Sequence, residues 1–457
     1  MTLAERMPND GRCKVNEDDV FQRWLKERKI EDVEVFVPDM AGSARGKVLP
    51  PEKVGKANMK MPEAIFGQTI SGDYTTNKHN VEDRDMNLVP DPTTLRIVPW
   101  ASDPAASVFV DCYRSDGTLV GASPRGVLRS VLGKYEARGW VPVVAPEVEF
   151  YLLKPHSDPN EEAEAPEGRL GWTEGARQPY SVDAMNDFEP FINDLYTNCE
   201  AQDIRIDTLS QEMGPAQFEI NFQHGNAVDL ADQVFLFKRT VREVAIEHEM
   251  HATFLAKPMS EEAGSALHVH QSVLDKDGEN IFSDSKGEPS ELFYGFLGGL
   301  QTYMPEALLI FAPYVNSYRR FMSPWASPVN LAWAVDNRTV GLRIPASDPE
   351  NRRIENRLAG SDVNAYLAIA ATLACGYLGM TEGLKPTDAT EGSAYSDKFA
   401  LHRNMFIALE AFRNSEAMRS ILGDDFVDLY CCVKEDEYRE FQEIITPYER
   451  EILMFNV

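Results

Sequence analysis

The sequence predicts an α+β protein, with a small strand-rich region ahead of a larger one in which strands alternate with long helices. Period-two alternation of apolar residues runs through Val33, Val35 and Val37 and returns in residues 141–153. Helical periodicity fills the long stretches 230–248 and 363–380. The strands carry polar residues in alternation and lack the continuous apolar runs of a doubly wound parallel sheet. A chain of 457 residues, 43% hydrophobic and 26% charged, has the composition of a folded protein with a sizeable core. A disordered or fibrous chain is excluded.

In chain order, Asn16 is a capping residue for a helix that puts Val20, Phe21, Trp24 and Leu25 on one face and runs to about Lys29. Strands are expected around residues 33–37, 95–98 and 107–113, the last leading into a hairpin turn at Ser115, Asp116 and Gly117. Ser123 as cap and Pro124 as first helical residue open a helix that Gly139 ends. A domain boundary therefore falls near Gly121, giving units of residues 16–118 and 121–457. Beyond it, strands at 141–153, 217–223 and 266–273 alternate with the long helices. Residues 154–174, rich in Pro, Gly and acids, read as a surface loop.

The formal charge is -28, from 73 Asp and Glu against 45 Lys and Arg. Such a chain repels phosphate backbones and anionic lipid, so neither nucleic acid nor a membrane is an expected partner. The N-terminal residues lack an export signal's apolar core, and the uncharged run 365–380 is shorter than the roughly 20 apolar residues of a membrane span. A cytoplasmic location is expected. The six cysteines form no CxxC pair and no metal-ligand spacing, as befits a reducing compartment.

Two phosphate or metal motifs fail. Residues 42–47 read GxxxGK, one residue short of a phosphate-binding loop, and Val48 stands where Ser or Thr would bind magnesium. His248 and His251 are spaced HExH, not HExxH, and are expected on a solvated helix face. Three other pairs carry chemistry. Glu147 and Glu149 interrupt an otherwise apolar strand and point the same way. Glu212 and Glu219 flank a Gly-Pro turn that returns one strand towards the other, and His268 and His270 repeat the i, i+2 arrangement on an apolar strand. One such pair is an ordinary salt-bridged or core feature. Three together imply a divalent metal cluster, because each buried carboxylate is costly unless paired or metal-bound. Mostly oxygen donors suit magnesium or manganese. Arg319, Arg320, Arg338, Arg343, Arg352, Arg353 and Arg357 then fall within 39 residues, and guanidinium forks beside metals point to phosphoryl transfer.

These residues resemble the glutamine synthetase family, and within it the γ-glutamylpolyamine synthetases. The likeness covers nearly the whole chain from about Asn16. It is carried by the Pro38 to Lys47 segment, the Glu147 strand, Glu212 to Glu219, Gly264 to His270, Asn316 to Arg320, Asn337 to Pro345 and Arg353 to Arg357. The resemblance implies an N-terminal β-grasp domain and a glutamine-synthetase-type catalytic domain with antiparallel active-site strands and surrounding helices. It implies a dodecamer of two hexameric rings with sites between neighbouring subunits, using ATP and two or three Mg2+ or Mn2+ ions per site. By that pattern Glu149, Glu212 and Glu219 hold one metal, and Glu147, His268 and Glu355 the second. Arg338, Arg343 and Arg353 clamp the nucleotide phosphates beside Asp207, His270 and Ser272. Gly264, Arg320 and Arg357 hold glutamate, and Asp39 of a neighbouring subunit deprotonates the attacking amine.

The amine pocket departs from the ammonia-using members. Their flap carboxylate is replaced here by Ala326, next to Trp325, and with Tyr180 and Asp39 these residues are the expected amine pocket. A small side chain at 326 opens room for an alkylamine, and Trp325 offers a cation-π face to a distal ammonium. The expected reaction is ATP-dependent ligation of glutamate to a polyamine. Ammonium or another amine such as ethanolamine is the alternative, as are a non-catalytic regulatory paralogue and a metal-dependent hydrolase.

Overall fold

The computed structural model of the chain describes residues 17–55, 59–75, 83–155, 158, 161–322, 328–396 and 401–457. Helix α1 (Glu17–Glu27) stops two residues short of its expected end, and the expected cap Asn16 lies outside the described residues. A six-stranded sheet follows, made of β1 (Asp32–Pro38), β2 (Ala44–Leu49), β3 (Lys60–Pro62), β4 (Asp85–Pro90), β5 (Arg96–Ile97) and β6 (Ala105–Tyr113). Its order is β2-β1-β6-β4-β3 with β5 beside β6, and β1 runs parallel to β6 among antiparallel neighbours, the mixed sheet of a β-grasp. Val33, Val35 and Val37 are buried as their alternation requires. Phe36, on the opposite face, is buried too, its ring centroid 4.9 Å from Phe109 and 5.6 Å from Phe235. The second face of β1 is therefore covered by a helix from much later in the chain, which a local period cannot reveal.

Ser123 caps α2 (Pro124–Glu136) through the amide of Gly126, and Gly139 turns the chain out at φ +72°. A nine-stranded sheet is then built around β7 (Trp140–Leu153). The helices α3 (Val182–Asn186) and α4 (Glu189–Ala201) precede β8 (Ile206–Gln211), β9 (Gln217–Phe222) and β10 (Gly225–Asn226). Helix α5 (Ala227–Glu247) separates these from β11 (His251–Thr253) and β12 (Leu267–Asp275). After α6 (Glu291–Phe311) and α7 (Val315–Arg320) come β13 (Trp333–Val335), β14 (Leu342–Ile344) and β15 (Ile354–Asn356). The order is β13-β14-β15-β12-β7-β9-β8, with β10 and β11 also on β7. Helix α8 (Ala365–Glu382) and three further helices, α9 (Met405–Arg413), α10 (Glu416–Leu422) and α11 (Asp424–Gln442), complete the layer behind it.

The uncharged run 365–380 is a core helix. Side chains replaced by hydrogen let α8 lie against α6: a Cβ on Gly299 would come within 2.2 Å of the Cys375 carbonyl oxygen. Among the described residues no helix is long and apolar enough to cross a membrane. The described cysteines, Cys112, Cys199, Cys375, Cys431 and Cys432, are free. The expected shared helix face for His248 and His251 is not found, because α5 ends at Glu247 and Glu249 takes φ +55°. His248 instead lies 2.8 Å from Asp194, and His251 opens β11.

The two sheets are joined by a buried charge network. Arg125 on α2, 1% exposed, meets Asp91 at 2.7 Å, Asp111 at 2.5 Å and Asp232 on α5 at 3.0 Å. Tyr366 on α8 donates to the other oxygen of Asp232, and Arg129 also contacts Asp91 and Asp111. One guanidinium thus satisfies carboxylates from both sides of the junction. Arg125→Met should leave those acids without their buried partner and lower the unfolding free energy by about 3–5 kcal/mol. The readout is the urea unfolding midpoint, and an unchanged midpoint would show that the junction adds nothing to stability.

Candidate active site

The site forms along one face of the second sheet because antiparallel register sets residues from different strands directly opposite one another. Glu147 on β7 pairs with His268 on β12, and Glu149 on β7 pairs with Glu219 on β9. His270 pairs with Glu355 on β15, and Glu355 in turn with Arg343 on β14. The alternate residues Val148, Phe150, Leu267, Val269 and Ile354 are fully buried in the core on the other face. Polar interruptions in apolar strands therefore fall into one continuous row, as the i, i+2 spacing predicts.

Ligand atoms of Glu147, His268 and Glu355 all lie within 4.8 Å of one another, and so do those of Glu149, Glu219 and His268. This donor set, chiefly carboxylate oxygen with one shared imidazole, fits hard divalent cations such as magnesium or manganese. Glu212 belongs to neither group of three, but it couples electrostatically to Glu149 and Glu147. Burial, reinforced by Glu212, pushes the Glu149 carboxyl up to about 8. Burial and the repulsion of Glu147, Glu149, Glu212 and Glu355 push Glu219 up to about 9. Glu147 goes the other way: burial opposes its charge, yet hydrogen bonds from His268 at 3.1 Å and His270 at 2.9 Å hold it well below the usual range. Burial and the nearby Arg357 bring His268 down to about 4, so it presents a neutral imidazole to a metal.

The arginines flank this row. Arg343 reaches Glu355 at 2.7 Å and Asp336 at 3.2 Å, and Arg357 pairs with the other oxygen of Glu355. Against the cost of burial, Arg357 and the two histidines lower Glu355 to about 2. Arg353 approaches His270 at 3.4 Å, while Arg338 is exposed and acts on Glu212 through its charge. Arg320 is buried and donates to the carbonyls of Leu358 at 2.7 Å and Arg357 at 3.0 Å. Its stem packs on Gly264, where an added Cβ would lie 2.8 Å from Arg320 Cγ and 2.7 Å from the Ala256 carbonyl oxygen.

One connecting residue escaped the sequence reading. Gln217 is fully buried and donates to the Gly264 carbonyl at 3.1 Å, and it lies 3.4 Å from Glu149. It stands two residues before Glu219 on β9, so strand periodicity counted back from Glu219 points to it.

The remaining expected residues are less closely tied to the row. Ser272 on β12 is half-buried, and Asp207 is exposed at an irregularity in β8. Tyr180 is 65% exposed at φ +63° and donates its amide to the Gln211 carbonyl. Asp39 is buried in its own turn, accepting from the amides of Ala41 at 3.0 Å and Ser43 at 2.8 Å and pairing with Arg45 at 2.7 Å. The structure does not bring Asp39 to the row within one chain. Trp325 and Ala326 lie outside the described residues.

Two outcomes follow from this geometry. Gly264→Ala should displace Arg320, since the new methyl has no space, and if these residues hold glutamate as the resemblance implies, the KM for glutamate should rise about tenfold or more with a smaller change in kcat. An unchanged KM would remove Arg320 and Gly264 from the glutamate wall. The second concerns protons. With Glu149 near 8 and Glu219 near 9, the metal-free row holds protons at neutral pH that its unfolded chain would not. These two carboxyls therefore contribute stability to the metal-free protein that is lost as pH rises from about 4.5 through about 9, whereas divalent cation affinity rises over the same range. Calorimetry of manganese binding at pH 7 in buffers of different ionisation enthalpy should show proton release, and its absence would contradict the raised carboxyls.

The chain's similarities agree with this chemistry. Residues 121–453 match the family description "Glutamine synthetase, catalytic domain". The chain is 35% identical to the γ-glutamylputrescine synthetase PuuA of Escherichia coli (strain K12), covering 93% of this chain and 92% of that protein. It is 32% identical to the glutamate–isopropylamine ligase of a Pseudomonas species, covering 93% and 95%. Its fold superimposes on the solved ligand-free structure of GmaS with a TM-score of 0.79 at 26% identity, covering 95% of this chain and 99% of that one. A face of carboxylates and histidines bordered by arginines, on a fold and sequence shared along nearly the full length, places the chain in the glutamine synthetase family as an ATP-dependent γ-glutamyl ligase.

Proposed function

We propose that the chain is a cytoplasmic enzyme of polyamine catabolism that joins the γ-carboxylate of glutamate to a primary amine of putrescine, spermidine or spermine, with ATP cleaved to ADP and phosphate. The observation that carries the ligase chemistry is the meeting of both charge sets at Glu355, where the carboxylate row ends and the arginines begin. For the amine, support comes from Ala326 in place of a flap carboxylate and from full-length similarity to a γ-glutamylputrescine synthetase and a glutamate–isopropylamine ligase.

In this reading Glu149, Glu212 and Glu219 hold one cation and Glu147, His268 and Glu355 a second. Bound there, the cations neutralise charge between the glutamate carboxylate and the triphosphate. Arg338, Arg343 and Arg353 hold the phosphates, with Asp207, His270 and Ser272 lining that side. Arg320, Arg357 and the Gly264 backbone orient glutamate so that its γ-carboxylate faces the terminal phosphoryl group. The resulting acyl phosphate is attacked by the amine, which must be neutral. With lysine's pKa of about 10.4 as a guide, removing that proton at pH 7 costs about 4–5 kcal/mol, the task of a carboxylate base. Asp39 takes that role across a subunit boundary, in a dodecamer of two hexameric rings. Tyr180, Trp325 and Ala326 shape the amine's side of the site.

The test measures phosphate release from ATP, with glutamate and magnesium, across ammonium, ethanolamine, monoamines, diamines, spermidine and spermine, and weighs the products. Polyamines should give the highest kcat/KM and a γ-glutamyl adduct, and Ala326→Glu should shift preference towards ammonium. Turnover with ammonium alone would make the chain a glutamine synthetase, and turnover with ethanolamine alone would move it to that amine.

A further inference from the structure

Two guanidiniums and two imidazoles surround the Glu355 carboxylate. Oxygen Oε2 accepts from Arg343 at 2.7 Å and has His270 at 4.0 Å. Oxygen Oε1 is bonded to Arg357 and has His268 at 3.8 Å. The side towards His268 and Glu147 is the cation side, because these three residues form one of the two metal-sized groups. The guanidiniums of Arg343 and Arg357 are both incompletely satisfied: among the described residues, the Nε of each is buried without a partner. An orphaned donor on a buried guanidinium costs free energy unless an anion arrives to accept from it. Glu355 therefore serves as the sole bonded acid for Arg357 and the closer of two for Arg343 among the described residues.

We propose that Glu355 is a shared counter-ion that couples cation loading to anion binding. In the metal-free chain it neutralises Arg343 and Arg357. A divalent cation entering beside Glu147 and His268 draws the carboxylate's charge towards itself and frees both guanidiniums for the anionic groups of substrate. The coupling is reciprocal: whatever the cation gains in affinity from bound anion, the anion gains from bound cation. The proposal rests on Glu355 being a cation ligand and makes no use of the amine's identity.

Glu355→Gln separates this role from a purely structural or ligand role, since it keeps the shape and one acceptor but removes the charge. Binding of inorganic phosphate and of glutamate to the full-length protein is measured by calorimetry in EDTA, without nucleotide or amine. The variant should bind phosphate, glutamate or both about tenfold more tightly than the unaltered protein, a gain of binding on losing a ligand. Its manganese affinity, read from free manganese by electron paramagnetic resonance, should fall. Arg357→Gln and Arg343→Gln should do the reverse, with manganese bound more tightly in the absence of substrate. Unchanged or weaker anion binding by Glu355→Gln, with circular dichroism unaltered, would overturn the proposal. So would arginine variants whose manganese affinity is unchanged or lower. Failure of the amine panel would leave these titrations intact, so the two readings stand or fall separately.

Discussion

Everything at this site depends on the register of β7 with its two neighbours. A slip of one residue against β12 or β9 would turn Glu147 and Glu149 into the core and bring Val148 and Phe150 out in their place. The apolar face opposes such a slip, because Val148, Phe150, Val269 and Ile220, now buried together, would be turned out of the core. Hydrophobic burial on one side of the sheet thus sets the spacing of charges on the other. The carboxylates are mutually repulsive, so the fold has to hold them there against their own electrostatics.

That repulsion is handled differently along the row. Towards β9, burial and the neighbouring carboxylates push Glu219 and Glu149 up, so that they retain protons. In the middle, Glu147 is ionised because two imidazoles donate to it. At the β15 end, Glu355 is ionised by guanidiniums. A gradient from protonated acids to fully paired ones therefore runs across four adjacent strands.

Much of this could be read in the sequence, for reasons particular residues make plain. Glu147, Glu149, His268 and His270 stood out because they break apolar strands at a spacing that puts them on one face. Ser123 and Pro124 marked the start of α2 by local chemistry alone. What the sequence concealed depends on distance along the chain. Phe36 is buried by Phe235, some 200 residues later, and the pairing of Arg125 with Asp91, Asp111 and Asp232 joins four separate elements. The end of α5 was read to within one residue, but the helix face expected for His248 and His251 together was not, because Glu249 adopts a left-handed conformation that nothing in its neighbours demands. Gln217 was missed because an amide attracts less notice than a charge.

The Arg125 network also has a mechanical side. Because one planar group grips carboxylates on both sides of the junction, the first sheet is braced against α2, α5 and α8, and the β1–β2 turn is tied down again where Asn364 donates to the Asp39 carbonyl. The turn that carries Asp39 is therefore pinned at its root, its position set by the residue that caps α8 of its own chain. Any surface that meets this turn finds it at a predetermined height, as a machined pin meets its hole.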